Sequence, residues 1–196
     1  MNATRTRQHI VDVAIDLFLE RGYEATTMEE VAERADIGTS TLYRYFPTKE
    51  LLATAPIGPP ELMADTLRAR PADEAPEVAL GETLLTLLRA VGIEGEERRA
   101  KYDAMLQENH RPRARLMDWL QEAYTALVEA LAERMGSTDD DVHVSATAWL
   151  AVHVLQRTSE ATKADRSLDS VEVATGIMAA LAARPLVKPR AAADVD

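Results

Sequence analysis

The chain has 196 residues, enough for one substantial core or two small ones. It contains no cysteine, which excludes disulfides, thiolate metal sites and a cysteine nucleophile, and suits a reducing compartment. Acidic residues outnumber basic ones 33 to 22, a net charge of −11, which excludes a surface that is basic all over.

Alanine, leucine, glutamate and arginine dominate, and runs of β-branched residues alternating with polar ones are missing, so the expected fold class is all-α. No apolar run approaches the roughly 20 residues of a membrane span. The stretch Met1 to His9 is polar, with Arg5 and Arg7, and no apolar segment ending in small residues follows it. The expectation is a soluble, cytoplasmic protein with no membrane partner.

In chain order, Arg5 to Arg21 reads as an amphipathic helix, with Ile10, Val13, Ala14, Leu17, Phe18 and Arg21 recurring at three and four residues. Gly22 stands where a left-handed residue closes a helix, and Tyr23 supplies the apolar contact that accompanies such a cap. A second helix starts at Thr27, whose hydroxyl and Glu30 form a capping box, and it ends near Asp36. Ile37-Gly38 makes a tight turn. A third helix runs from about Thr39 to Phe46, Pro47 stops it, and Thr48 caps a fourth. Short helices joined by a glycine-containing turn form a helix-turn-helix pattern. Leu42 and Phe46 are expected to face the second helix, leaving Thr39, Ser40, Tyr43 and Arg44 on the other side.

Pro56-Ile57-Gly58-Pro59-Pro60 cannot continue a helix, because proline removes a donor and clashes with the turn before it. It reads as the seam between a first domain (1–55) and a second (56–184). Beyond it, helices are expected over Glu61–Arg70, Glu77–Val91, Glu96–Asn109, Pro112–Met135, Val142–Lys163 and Asp169–Arg184. Leu80, Leu84, Leu87, Leu88 and Val91 should be buried on one, and Leu116, Trp119, Leu120, Ala123, Leu127, Val128 and Leu131 on another. The acidic run Asp139–Asp141 sits at a helix start, where the macrodipole favours negative charge, and is read as structural rather than as a metal site. The tail from Pro185 mixes proline, alanine and charge, and 185–196 is expected to be disordered.

Charge is uneven along the chain. Met1–His9 holds two arginines and no acid, and Ile37–Lys49 holds Arg44 and Lys49 and no acid. An acidic body with two basic windows suits a protein that meets DNA at one end. Chemistry of other kinds finds little support. His9, His110, His143 and His153 lack the spacing of metal ligands, and neither a glycine-rich phosphate loop nor a serine nucleophile turn is present. No enzyme activity, metal or cofactor is expected.

The stretch AIDLFLERGYEATTMEEVAERADIGTSTLYRYFPTKELL, Ala14 to Leu52, resembles the DNA-binding domain of the TetR family of transcriptional regulators. Gly22-Tyr23, Thr26-Thr27, Val31-Ala32, then Gly38-Thr39-Ser40-Thr41-Leu42-Tyr43, Phe46 and Lys49 carry the likeness together. It implies an all-α protein with an N-terminal helix-turn-helix and a C-terminal helical bundle for ligand binding and dimerisation. It implies that Gly38 leads into a recognition helix, Thr39–Tyr45, lying in the major groove, with Thr27 near a phosphate. Tyr43 and Tyr45 would donate to phosphates, Lys49 would hold the backbone, and Thr39, Ser40, Thr41 and Arg44 would reach base edges. That division agrees with physics, since hydroxyls and helix ends fix register while groove-facing side chains read sequence, and an arginine can bond both acceptors of a guanine.

The same resemblance implies a homodimer on a near-palindromic double-stranded operator, formed by the last two long helices. The small face around Ser145, Ala148 and Val152 and the stripe of the final helix permit it. It further implies a repressor released by a small-molecule effector bound among the middle helices. Tyr102, Met105, Trp119, Tyr124, Trp149 and His153 are candidate lining residues, with ordinary core packing as the competing reading for each. The proline-rich segment departs from the family pattern, in which the fourth helix runs on as a rod. An interaction module using its helix-turn-helix for protein contacts is the other reading the residues allow.

Overall fold

A computed structural model describes residues 3–90 and 96–184, so the expected burial of Val91 and the expected disorder of 185–196 lie outside the described residues. Within them the chain is helical throughout and contains no strand. The helices are α1 (Ala3–Arg21), α2 (Met28–Arg34), α3 (Thr39–Tyr45), α4 (Lys49–Thr54), α5 (Leu62–Arg68), α6 (Pro76–Arg89), α7 (Glu96–Glu108), α8 (His110–Met135), α9 (Val142–Ala164) and α10 (Ser170–Ala183). One 3-10 turn, Ala55–Ile57, follows α4 directly.

The helix ends form where the side chains dictate. Gly22, at φ 92°, follows α1 in the left-handed region that a Cβ would disfavour. The Thr27 hydroxyl accepts from the Glu30 amide at 3.2 Å, and the Thr27 amide donates back to the Glu30 carboxylate at 2.8 Å, closing the capping box. Thr48 caps α4 by accepting from the Leu51 amide, and Asp141 and Asp169 do the same for α9 and α10. The last residue of the acidic run before α9, Asp141, is thus its cap. Asp141 is held below the usual carboxylate range by hydrogen bonds from Ser137 and from the His143 amide.

Two buried clusters organise the chain. The first gathers Ile10, Ala14, Leu17 and Phe18 of α1 with Val31 and Ala32 of α2, Leu42 and Phe46 around α3, and Leu52 of α4. Each fully buried leucine is worth about 1.5–3 kcal/mol relative to exposure. Tyr102, Met105 and Leu106 of α7 join this cluster, so an element beyond the proline seam completes it. The second cluster joins α5, α6, α8 and α9 through residues such as Leu67, Leu84, Leu127, Leu131 and Val154, with Ala174 of α10.

The proline-rich segment ends α4 at Thr54. Gly58 turns the chain at φ 90°, where an added Cβ would also sit 3.0 Å from Leu62. Several residues of α6 and α8 are less covered than their helix periodicity predicts. Leu87 and Leu88 of α6, and Leu116, Trp119 and Leu120 of α8, are half-buried rather than buried. All but Leu120 line a partly open cavity. The phase of α9 also differs from expectation. Its inward positions are Val144, Ala148, Ala151, Val154 and Thr158, so Ala148 is wholly buried inside the protomer instead of heading a small outer face.

Candidate nucleic-acid interface and the cavity behind it

In α3 Leu42 points inward and the other residues are exposed or half-buried. Leu42 is fully buried and Phe46, just past the helix end, nearly so. Gly38, Thr39, Ser40, Tyr43 and Arg44 are exposed, while Thr41 and Tyr45 are half-buried. Thr27 is exposed at the start of α2. Seven of the residues picked out from the sequence thus lie on or beside one short helix, with Thr27 and Lys49 flanking it at the starts of α2 and α4.

The individual environments differ. The Tyr43 hydroxyl donates to Glu29 at 3.4 Å, a long bond, and partial burial with that carboxylate raises its pKa. Arg44 makes no ion pair among the described residues, and its guanidinium lies 5.7 Å from the centroid of the Tyr45 ring. A planar donor fork with no acidic partner is free to meet paired acceptors. Glu30 is held below the usual carboxylate range, first by its bond from the Thr27 amide.

Lys49 is placed otherwise than a simple surface cation. Its ammonium donates to the Thr26 carbonyl at 2.7 Å and stands 4.1 Å from the Tyr23 ring centroid. Partial burial lowers its pKa. Thr26, part of the family likeness but given no role of its own from the sequence, is 1% exposed, and its hydroxyl donates to the Leu17 and Gly22 carbonyls. The turn between α1 and α2 is therefore braced from below by Thr26 and from the side by Lys49. The repeated threonines at 26 and 27 were the available signal. One turns in and one caps.

Arg5 is exposed on α1. Arg7 is exposed as well, with its guanidinium 4.9 Å from the Phe46 ring centroid, and it stands at the lining of the cavity.

That cavity, about 570 Å³, lies between α1, the 3-10 turn and the helices beyond it. Of the six aromatic, methionine and histidine residues expected to line a pocket, Tyr102 and Trp119 do so. Met105 is packed in the first core, and Tyr124 stacks on Trp149 with ring centroids 4.8 Å apart. Trp149 is 57% exposed and His153 is exposed. These four lie outside the lining of this cavity: the inward phase of α9 runs through Val154, so 149 and 153 face out, and Tyr124 packs against Trp149. Tyr102 and Trp119 have a second connection. The Tyr102 hydroxyl donates to the Ala53 carbonyl at 2.8 Å, and the Trp119 indole donates to the Gly58 carbonyl at 2.9 Å. Burial pushes the Tyr102 hydroxyl well above its usual pKa.

Comparison with known proteins bears on the first cluster and on the whole outline. A family profile described as "Bacterial regulatory proteins, tetR family" matches residues 10–55. The transcriptional regulator TcmR of Streptomyces glaucescens is 33% identical over 147 residues, 70% of this chain and 63% of that protein. The repressor KstR of Mycolicibacterium smegmatis is 46% identical over 52 residues, 26% of each chain. The chain therefore spans less than two thirds of the length of these relatives. A crystal structure of NalD, the secondary repressor of the MexAB-OprM efflux pump in Pseudomonas aeruginosa, superposes with a TM-score of 0.59. It is 19% identical and covers 91% of this chain and 96% of its own.

Proposed function

The chain belongs to the tetR family of bacterial regulatory proteins, and from that premise we propose that it is a transcriptional regulator whose α3 enters the major groove of operator DNA. The reading rests above all on one observation. The exposed row of Thr39, Ser40, Tyr43 and Arg44 is presented by a helix whose Leu42 is held in the core. Thr39, Ser40, Thr41 and Arg44 read base edges, and Thr27, Tyr43 and Tyr45 hold phosphates, with Gly38 giving the backbone close approach. Lys49 adds an ammonium with two donors left beyond its bond to Thr26.

The protein acts as a homodimer on a near-palindromic site and represses until a small molecule enters the cavity. Such a molecule must bind the DNA-incompetent arrangement more tightly, since equal binding to both shifts nothing. The first domain is 1–55 and the second 56–184, with α7 of the second closing the core of the first. This regulator works beside the chromosome, in the cytoplasm, and its function is binding rather than catalysis.

Selection from a random duplex pool followed by titration at several salt concentrations tests the proposal. A single near-palindromic motif should emerge, and log affinity should fall steeply and linearly with log salt, as counterion release requires. A pool that yields no motif, with a flat salt dependence, would overturn it and favour a helix-turn-helix used for protein contacts.

A further inference from the structure

The wall of the cavity has two chemistries. Ile15, Ile57, Met63, Leu88, Leu116 and Trp119 form an apolar part. Arg98 and Arg99 near the start of α7, Lys163 and Arg166 at the end of α9, and Arg7 of α1 form a basic part. Among the described lining residues the carboxylates are two, Asp12 and Asp103. Five cations facing two acids is the reverse of the chain as a whole, whose net charge is −11.

Both acids are engaged. Asp103 lies 3.7 Å from Lys163, and Asp12 accepts from Gln8 at 3.1 Å. Arg98 pairs with Asp16 at 2.7 Å, outside the lining set. Arg166 makes no ion pair among the described residues, nor does Arg7 beyond its contact with the Phe46 ring. The end of α9 attracts positive side chains by its own dipole, which accounts for a cation there but not for its standing on a cavity wall. The volume falls within the usual range for small-molecule sites, about 300–1,000 Å³.

We propose that this cavity takes an amphipathic organic anion, its apolar body against Leu116 and Trp119 and its carboxylate or phosphate head toward Arg166 and Lys163. This rests on the effector reading above and names its chemical class. Apolar burial supplies the larger part of the affinity, and a charge-assisted bond in a partly dry site selects the head. A neutral head leaves the arginine without a counter-charge, and a cationic head is repelled.

Calorimetric titration of the full-length protein, without DNA, tests this with four probes sharing one alkyl chain: decanoate, decyl phosphate, decanol and decyltrimethylammonium. Decanoate or decyl phosphate should bind, decanol about tenfold more weakly or worse, and the ammonium not measurably. Preference between the two anions distinguishes a carboxylate from a phosphate ligand. The double variant Lys163→Gln/Arg166→Gln should bring the better anion down to the level of decanol, while Arg89→Gln, outside the cavity, should leave it unchanged. The proposal is overturned if decanol or the ammonium binds as tightly as the anions, if none of the four binds, or if the double variant retains wild-type anion affinity. Anion binding that never releases operator DNA would keep the ligand class and sink the effector reading. Release by some other compound, with no anion binding, would do the opposite.

Discussion

Arg44 and Lys49 stand five residues apart and would both meet DNA, yet their surroundings give them different consequences when removed. Arg44 is exposed, its guanidinium 5.7 Å from the ring centroid of its neighbour Tyr45 and in no ion pair among the described residues. Replacing it with alanine should leave the melting temperature within about 2 °C, since surface changes of this kind cost under roughly 0.5 kcal/mol. The same change should reduce discrimination between operator and non-operator duplex by about 1–3 kcal/mol. Lys49→Ala should weaken all duplexes alike, and it should also destabilise the protein, because its ammonium ties α4 to the Thr26 carbonyl. A loss of about 1 kcal/mol, allowing for partial solvent screening, corresponds to about 2–4 °C in a chain of this size. Thermal melts and titrations at fixed salt on both variants separate the two roles. Equal melting of the two, or unchanged sequence preference in Arg44→Ala, would contradict the assignment.

At the level of elements, the break after α4 creates a need that the middle helices meet. A helix leaves its last carbonyls without internal partners, and Pro56 has no amide hydrogen to offer. Tyr102 of α7 and Trp119 of α8 donate to the Ala53 and Gly58 carbonyls from the wall of the cavity. Both side chains therefore touch the cavity and the segment leaving the reading head, and a molecule that displaced Tyr102 would free the Ala53 carbonyl near the end of α4. Tyr102→Phe keeps the packing and removes the donor, so it should cost about 1–3 kcal/mol of stability and lower operator affinity with no small molecule present. Denaturant unfolding and duplex titration of this variant check it, and wild-type values in both would show that the bond carries no coupling. The helices themselves, their caps at Gly22, Thr27 and Thr48, and the α4 break were legible because each depends on a few adjacent residues. These two bonds were not, because they join positions 49 and 61 residues apart. Periodicity also misjudged α9, where Ala and Val on several faces leave the inward phase to be set by partners rather than by pattern.

On the scale of the molecule, the last helix is more apolar than one protomer can use. Over the fourteen residues of α10, Val171, Val173, Ile177, Met178 and Leu181 are only half-buried, and Ala174 alone is fully enclosed. Beside it on α9, Val142 is 71% exposed and Trp149 57%. Apolar surface of this kind suits the interface of the proposed homodimer, and the exposed Gly176, Ala179 and Ala180 would let a second helix approach closely. A dimer built there joins two reading heads, so that the second half-site is engaged at the effective concentration set by the first. That linkage can raise affinity by a factor of about 10²–10⁴ with no new DNA contact. Ala180→Glu sets a charge on the exposed side of α10 without touching either core. It should yield a helical monomer at micromolar concentration by sedimentation, with operator affinity lowered about a hundredfold or more and affinity for an isolated half-site unchanged. A wild-type chain that sediments as a monomer would remove the premise. A variant that stays dimeric would move the interface away from α10, and with it the reason for so much uncovered aliphatic surface on that helix.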